Sequence, residues 1–303
     1  MAKISKDEFE KLADFILKAT GVRLEPGKEY LVESRLAPLL EESGASDFTE
    51  FLEKLLRGAA FELEEKVIDA ITTQETSFFR DKGPFDLLKF KLLPDLLDAR
   101  LAAGPPGGIP EIRIWSAASS TGQEPYSIAM AAMEVLGGGD TARVSILGTD
   151  ISKSALLKAE EGVYEDFEVR RGLPPDLLKR WFTKVDGKWK VNAEIRSMVD
   201  FRQVDLRKAF RGLGKFDIIF CRNVVIYFDP EERKKLVCGL RSAMAPDGAL
   251  ILGAQEQLSS ICELFVVRKH LNSVFYTLKE TEDQEGREIA AFARRSPISG
   301  RIH

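Results

Sequence analysis

"IWSAASSTGQEPYS", residues 114–127, decides the fold. The apolar run that begins upstream as "EIRIWSA" (111–117) reads as a strand. It gives way to a loop of very small residues and then to a helix near 124–136. Only Gly122 breaks that loop, where a dinucleotide fingerprint shows three glycines and a phosphate loop adds a lysine. Working outward, the same alternation continues with the strand "VSILGTD" (144–150), a helix near 152–160, and the strands "VDFRQVD", "FDIIFCR" and "GALILGA". Apolar strands alternating with helices predict a mostly parallel sheet with right-handed crossovers. The chain's last strands, "LFVVRK" and "NSVFYTL", are separated by a short turn and predict an antiparallel hairpin at the sheet edge.

The flanks divide the 303 residues into further units. Residues 1–71 read as helix after helix. "FEKLADFILKAT" puts Phe9, Leu12, Ala13 and Ile16 on one face, and later helices close at Gly44 and Gly58. This is a small all-α domain. Residues 72–110 hold a polar linker, "TTQETSFFRDKGPF", one long connecting helix over 85–104, and the breaker cluster "GPPGGIP". The sheet domain occupies 111–279. Within it the alternation breaks over about 162–198, where "RWFTKVDGKWKV" predicts an inserted hairpin around an Asp-Gly turn. Residues 280–303 are polar and read as a disordered tail.

Composition excludes several classes. The net charge is −4 and no basic stripe is visible, which argues against nucleic acid as a partner. With no long apolar run and no signal peptide, the expected location is the cytoplasm, without direct membrane insertion. Cys221, Cys238 and Cys262 lack metal-ligand spacing and are expected as reduced, mostly buried thiols; no metal site is expected. The only two histidines are His270, placed in the terminal hairpin turn, and His303 at the chain end. Chemistry here must run without histidine, which favours a cofactor with its own reactivity.

In open parallel sheets, ligands bind beyond the carboxyl ends of the strands, where "WSAASSTG" lies. Gly122 allows close backbone approach. Glu124 stands at the start of the helix, where its carboxylate repels phosphate and pairs with an ammonium group. Asp150, ending the second strand, suits the two hydroxyls of a ribose. An amino-acid end plus a ribose describes S-adenosylmethionine, and a parallel sheet closed by one antiparallel hairpin is the matching methyltransferase architecture. Structural roles for the same two residues stay open: Glu124 as a first-turn acid matching the helix dipole, and Asp150 as an N-cap for the helix at Ser152. A nicotinamide dehydrogenase is disfavoured by the missing glycines and by Glu124.

Three stretches in order, "TTQETSFFRD" (72–81), "SSTGQEPYSIAM" (119–130) and "FDIIFCRNVVIYFD" (216–229), resemble the CheR family of chemotaxis receptor methyltransferases. The resemblance spans roughly residues 5–278. It implies a Rossmann-like S-adenosylmethionine methyltransferase sheet with an N-terminal all-α domain and an inserted hairpin. It also implies methyl transfer to glutamate side chains on chemoreceptor helices, giving methyl esters and S-adenosylhomocysteine. By position, the resemblance places Gln74, Thr76, Arg80, Gly122, Glu124, Asp150, Asp205, Leu206, Arg222 and Asn223 around the cofactor, with Arg80 and Tyr227 facing the reacting carboxylate. Asp205 departs from the family's frequent Asn-Leu. The helical domain is acid-rich, keeping Arg35 but placing Ala37, Pro38 and Leu39 where more arginines are expected. The tight "VDG" turn replaces the longer glycine-containing loop that docks receptor peptides in some members, which implies independence from a C-terminal peptide tether. The competing reading is a cofactor-binding signalling module without receptor methylation.

Overall fold

The computed structural model describes residues 3–57, 61–137, 141–208, 210, 212–258 and 264–279. Four helices open the chain: α1 (Lys6–Thr20), α2 (Glu29–Glu42), α3 (Phe48–Leu56) and α4 (Phe61–Ile71). Ser5 and Glu8 form a reciprocal capping box at the start of α1, and Asp47 caps α3. The face foreseen on α1 is buried: Phe9, Leu12 and Ile16 pack with Val32, Leu36, Phe48, Phe51 and Val67, with Ala13 at the margin. Gly44 follows α2 in the left-handed region, as the C-terminal signal requires. Gly58 lies outside the described residues, as do Cys262, His303 and the tail from 280 onward.

The connecting helix differs from its expected form. It runs as α5 (Gly83–Leu87), a π-helical turn over Leu88–Leu92, and α6 (Leu93–Ala103). Pro94 has no N–H for the normal α-helical ladder, and the preceding turn widens to accommodate this, with Leu93 N–H donating to Leu88 O.

The sheet domain contains β1 (Glu111–Ala117), α7 (Gln123–Leu136), β2 (Arg143–Asp150), α8 (Lys153–Glu161), β3 (Val163–Tyr164), α9 (Asp166–Arg170), α10 (Pro175–Trp181), β4 (Phe182–Val185), β5 (Lys188–Val191), α11 (Ala193–Arg196), β6 (Val199–Gln203), β7 (Phe216–Cys221), α12 (Pro230–Ala243), β8 (Met244–Leu252), β9 (Phe265–His270) and β10 (Ser273–Leu278). The seven strands of the main sheet lie in the order β6-β2-β1-β7-β8-β10-β9. The pairings β6–β2, β2–β1, β1–β7 and β7–β8 are parallel. β10 is antiparallel to both β8 and β9, so the terminal hairpin joins the sheet through its second strand. His270 ends β9, and the turn itself falls on Leu271 and Asn272.

The strand order reverses between β1 and β7, which puts the switch point beside the "ASSTG" loop. Both faces of the sheet are covered. One face packs Ile112, Ile114, Ile218, Phe220 and Ile251 under α5–α7; the other packs Trp115, Ile219, Leu250 and Leu252 under α12. The inserted hairpin forms around Asp186 (φ 49°) and Gly187 (φ 81°), a two-residue turn with both positions left-handed. The short β3 adds a third strand to it. Cys221 is buried, but Cys238 is exposed on α12, where the polar face of an amphipathic helix turns outward.

Candidate functional site

A cavity of about 490 Å³ opens at the carboxyl ends of β1, β2, β6 and β7, roofed by the linker after α4 and by the end of α1. This is the size of a small-molecule site. Gln74, Thr76, Arg80, Glu124, Asp150, Asp205, Leu206, Arg222, Asn223 and Tyr227 all line it. Gly122 does not. A Cβ there would come within 2.8 Å of the Ala159 Cβ and 3.0 Å of the Tyr164 hydroxyl, at φ 94°. Its role is to let the loop pack on α8, and the wall is left to Ala118, Ser119 and Ser120.

The loop geometry is costly. Asp81, Ala118, Ser120 and Asn223 line the cavity with positive φ although none is glycine. Such backbone clusters at functional sites, held by surrounding contacts. Those contacts are visible. Asp150 accepts from Ser120 N–H at 2.8 Å and from Ser152 N–H at 2.9 Å. Ser152, not Asp150, is the side-chain cap of α8, accepting from Ala155 N–H at 3.1 Å.

Burial pushes the Asp150 carboxyl above its ordinary value of 3.8, against the lowering effect of those amides and with Asp69 adding like charge. A raised carboxyl binds more protons in the folded than in the unfolded chain. Its contribution to stability is therefore complete at low pH and is lost as pH rises through the folded value. Hydroxyl donors from a bound ribose would favour the ionised form and reverse that loss. Thermal stabilisation by S-adenosylhomocysteine is accordingly expected to grow as pH rises above the ordinary carboxylate value of 3.8. Melting curves of Asp150→Asn should show that growth flattened.

Glu124 does not stand as a bare anion. One oxygen accepts from Ser116 Oγ at 2.8 Å and the other from Arg222 Nη1 at 2.8 Å. Arg222 in turn donates to Arg80 O at 2.9 Å and to the Asp81 carboxylate at 2.8 Å. One guanidinium thus joins the end of β7, the start of α7 and the linker. Glu124 keeps lone pairs for an ammonium group, but within a network whose charge is partly neutralised.

Sequence reading missed Glu256, just beyond β8. It is buried, and its carboxylate accepts from the N–H groups of Asn223 (2.7 Å), Gly253 (2.8 Å), Val225 (2.8 Å) and Ile226 (3.3 Å). One carboxylate thereby holds the whole "NVVIY" turn that carries Asn223 and Tyr227. An acid directly after the apolar "ILGAQ" was the available signal.

Among the described residues, five buried side-chain polar atoms lack a hydrogen-bond partner, and four of them belong to cavity residues: Gln74 Oε1, Ser119 Oγ, Ser120 Oγ and Arg222 Nε. Unpaired buried polar groups are costly and are normally satisfied. This donor and acceptor set fits a ligand with amino, carboxylate and hydroxyl groups. Gln74, Ser119, Ser120, Glu124, Asp150 and Arg222 would hold S-adenosylmethionine here. The bound cofactor supplies an electrophilic sulfonium methyl.

Comparison with known proteins agrees. Residues 7–72 match the family model described as "CheR methyltransferase, all-alpha domain", and residues 74–273 match "CheR methyltransferase, SAM binding domain". A relative called chemotaxis protein methyltransferase 1, from Pseudomonas aeruginosa, is 40% identical over 278 residues, covering 90% of this chain and 98% of that protein. A chemotaxis protein methyltransferase of Vibrio parahaemolyticus is 39% identical over 279 residues, 91% of this chain and 98% of that one. A solved DhpI–SAH complex covers 69% of this chain and 79% of its own at 15% identity, but its TM-score of 0.30 carries no weight. With its all-α domain, its mostly parallel sheet and both family models matched in order, the chain belongs to the CheR methyltransferase family, and its cofactor is S-adenosylmethionine.

Proposed function

We propose that this methyltransferase acts in the cytoplasm on glutamate side chains of chemoreceptor helices or of related signalling proteins, forming glutamate methyl esters. One observation carries the reading: Arg80 and Tyr227, a cation and a phenol, line the same cavity as Glu124 and Asp150, and no histidine is among the described residues that line it. A glutamate is already ionised near neutral pH, so no residue of the chain has to remove a proton. What the reaction needs is alignment and the replacement of water by fixed dipoles. Arg80 grips one carboxylate oxygen and leaves the other free. Tyr227, partly exposed at the rim on the turn Val225–Tyr227, donates from the other side. The names of the relatives support a chemotaxis substrate. Incubation with methyl-labelled cofactor and receptor cytoplasmic fragments should give base-labile label on glutamate; label on any other side chain would refute the assignment.

A second reading, a cofactor-binding module that does not methylate receptors, draws on the helical domain. The segment 25–42 carries Glu25, Glu29, Glu33, Glu41 and Glu42 against Lys28 and Arg35. Arg35 is occupied, donating to Ile71 O at the end of α4 at 2.5 Å. Steering toward an acidic receptor surface is correspondingly weak. The same labelling experiment separates the two readings.

We further propose that no peptide tether is needed. The turn between β4 and β5 is only Asp186–Gly187, too short to form a lip over an added strand. Calorimetric titration with receptor C-terminal peptides should show no binding in the micromolar range.

A further inference from the structure

Asp205 was placed in the cavity wall, and the structure shows what its carboxylate does there. Both oxygens are taken by Arg207. Nε donates to Oδ1 at 2.9 Å, Nη2 to Oδ2 at 2.7 Å, and the Arg207 backbone N–H to Oδ1 at 3.0 Å. The remaining guanidinium hydrogens cross to the helical domain. Nη1 donates to Leu17 O at 3.1 Å and Lys18 O at 2.8 Å, and Nη2 to Ala19 O at 2.6 Å. These are carbonyls of the last turn of α1, which have few or no partners within the helix and sit at the negative end of its dipole. All five guanidinium N–H groups are thereby used.

The close approach is built in. A Cβ at Gly21, which caps α1 at φ 77°, would come within 2.8 Å of Arg207 Cδ. Thr20 and Val22, on either side of that glycine, line the cavity, as do Asp205 and Leu206 on the other side of the clamp.

We propose that Arg207 is a positioning residue for cofactor binding: it locks the end of α1 onto the cavity and keeps Asp205 neutralised in its wall. Without Arg207, the end of α1 keeps only the packing of Gly21 against Phe228 and the Arg23–Asp229 ion pair at 3.9 Å to hold Thr20 and Val22 at the pocket. Asp205, whose side chain is 11% exposed, is then left with only the exposed Lys208 ammonium at 3.9 Å, a weakly compensated carboxylate that a bound cofactor must desolvate. Arg207 touches no reacting atom, so the effect falls on cofactor affinity and not on the methyl-transfer step.

The test is S-adenosylhomocysteine binding by calorimetry on the full chain. Arg207→Ala should weaken binding about 10-fold or more, the scale of losing charge-assisted hydrogen bonds. It should raise KM for the cofactor while kcat at saturation stays within about threefold. The double variant Asp205→Asn/Arg207→Ala should bind more tightly than Arg207→Ala alone, because the stranded charge has gone. A merely structural staple predicts the opposite order. At an S-adenosylhomocysteine concentration near the wild-type Kd, proteolysis of the linker 72–82 should be clearly suppressed in the wild type and barely in Arg207→Ala, and saturating ligand should protect both. Affinity within about twofold of wild type in Arg207→Ala, or a double variant no better than the single, overturns the proposal. If Arg207→Ala does not fold, Arg207→Lys decides. It keeps the stem beside Gly21 but lacks the fork, so intermediate affinity supports the clamp and wild-type affinity refutes it. The inference rests on the cavity being the cofactor site, which Asp150→Ala tests separately: unchanged binding in that variant removes the site, whatever Arg207 does.

Discussion

Replacing Arg222 by alanine is expected to abolish cofactor binding and to destabilise the fold by about 3–5 kcal/mol, the range for breaking a buried ion pair by removing one partner. The Arg222 side chain is 1% exposed and pairs with both Glu124 and Asp81. Its removal leaves Glu124, 13% exposed, facing the cavity as an uncompensated charge. The linker also loses its tie to the end of β7, because Arg222 holds Arg80 O as well as the Asp81 carboxylate. Asp81 has φ 60° and Phe79 φ 49°, so this stretch of linker is strained and depends on such contacts. Urea unfolding and calorimetry with S-adenosylhomocysteine check both halves of the expectation. Arg222→Lys should fold but bind weakly, since one ammonium cannot reach Glu124, Asp81 and the Arg80 carbonyl together. Full cofactor affinity in Arg222→Lys would show that a point charge suffices and that the forked geometry is irrelevant.

The parallel sheet, its closing hairpin and the helical start were legible because each rests on local periodicity, which a sequence carries openly. "EIRIWSA" and "VSILGTD" became β1 and β2 over nearly the expected residues. The π-helical turn at Leu88–Leu92 was not legible. A proline inside an apolar helical pattern says that the ladder is interrupted, not how it is repaired. The site shows the same division. Residues in continuous motifs, such as Glu124, Asp150 and Arg222, could be named in advance. Their mutual pairing could not, because Arg222 and Glu124 are 98 positions apart and meet only through the sheet register. Glu256 and Arg207 escaped for a related reason. Each acts on main-chain atoms of a distant segment, and backbone acceptors and donors leave no side-chain signature. The departure at Asp205 illustrates the point: the aspartate is explained by its neighbour two residues on and by the carbonyls of α1.

Arg80→Ala is expected to behave in the opposite way to Arg222→Ala, with turnover down by about 100-fold or more and cofactor binding nearly unchanged, the signature of losing a group that orients the nucleophile. The reason lies in what holds the Arg80 main chain. Phe78 is fully buried, edge-on to Tyr164 and Phe182. Phe79 N–H donates to Ser127 Oγ at 3.0 Å, and the Arg80 carbonyl accepts from Arg222. None of these contacts uses the Arg80 side chain. That side chain lies half-buried along the cavity, donating at 3.0 Å to the carbonyl of Glu75. Glu75 is anchored to the inserted subdomain through its ion pair with Arg171. The guanidinium is therefore aimed by elements that persist when it is truncated, and its loss removes a positioning donor without loosening the pocket. In the proposed reaction the positive charge has to hold the substrate carboxylate without over-stabilising it, since that charge fades as the ester forms. Arg80→Lys should recover only part of the rate, because a single ammonium does not fix the plane of a carboxylate as a fork does. Single-turnover rates measured alongside S-adenosylhomocysteine titration separate the cases: a parallel loss of affinity would place Arg80 on the cofactor, and an unchanged rate would remove it from the reaction.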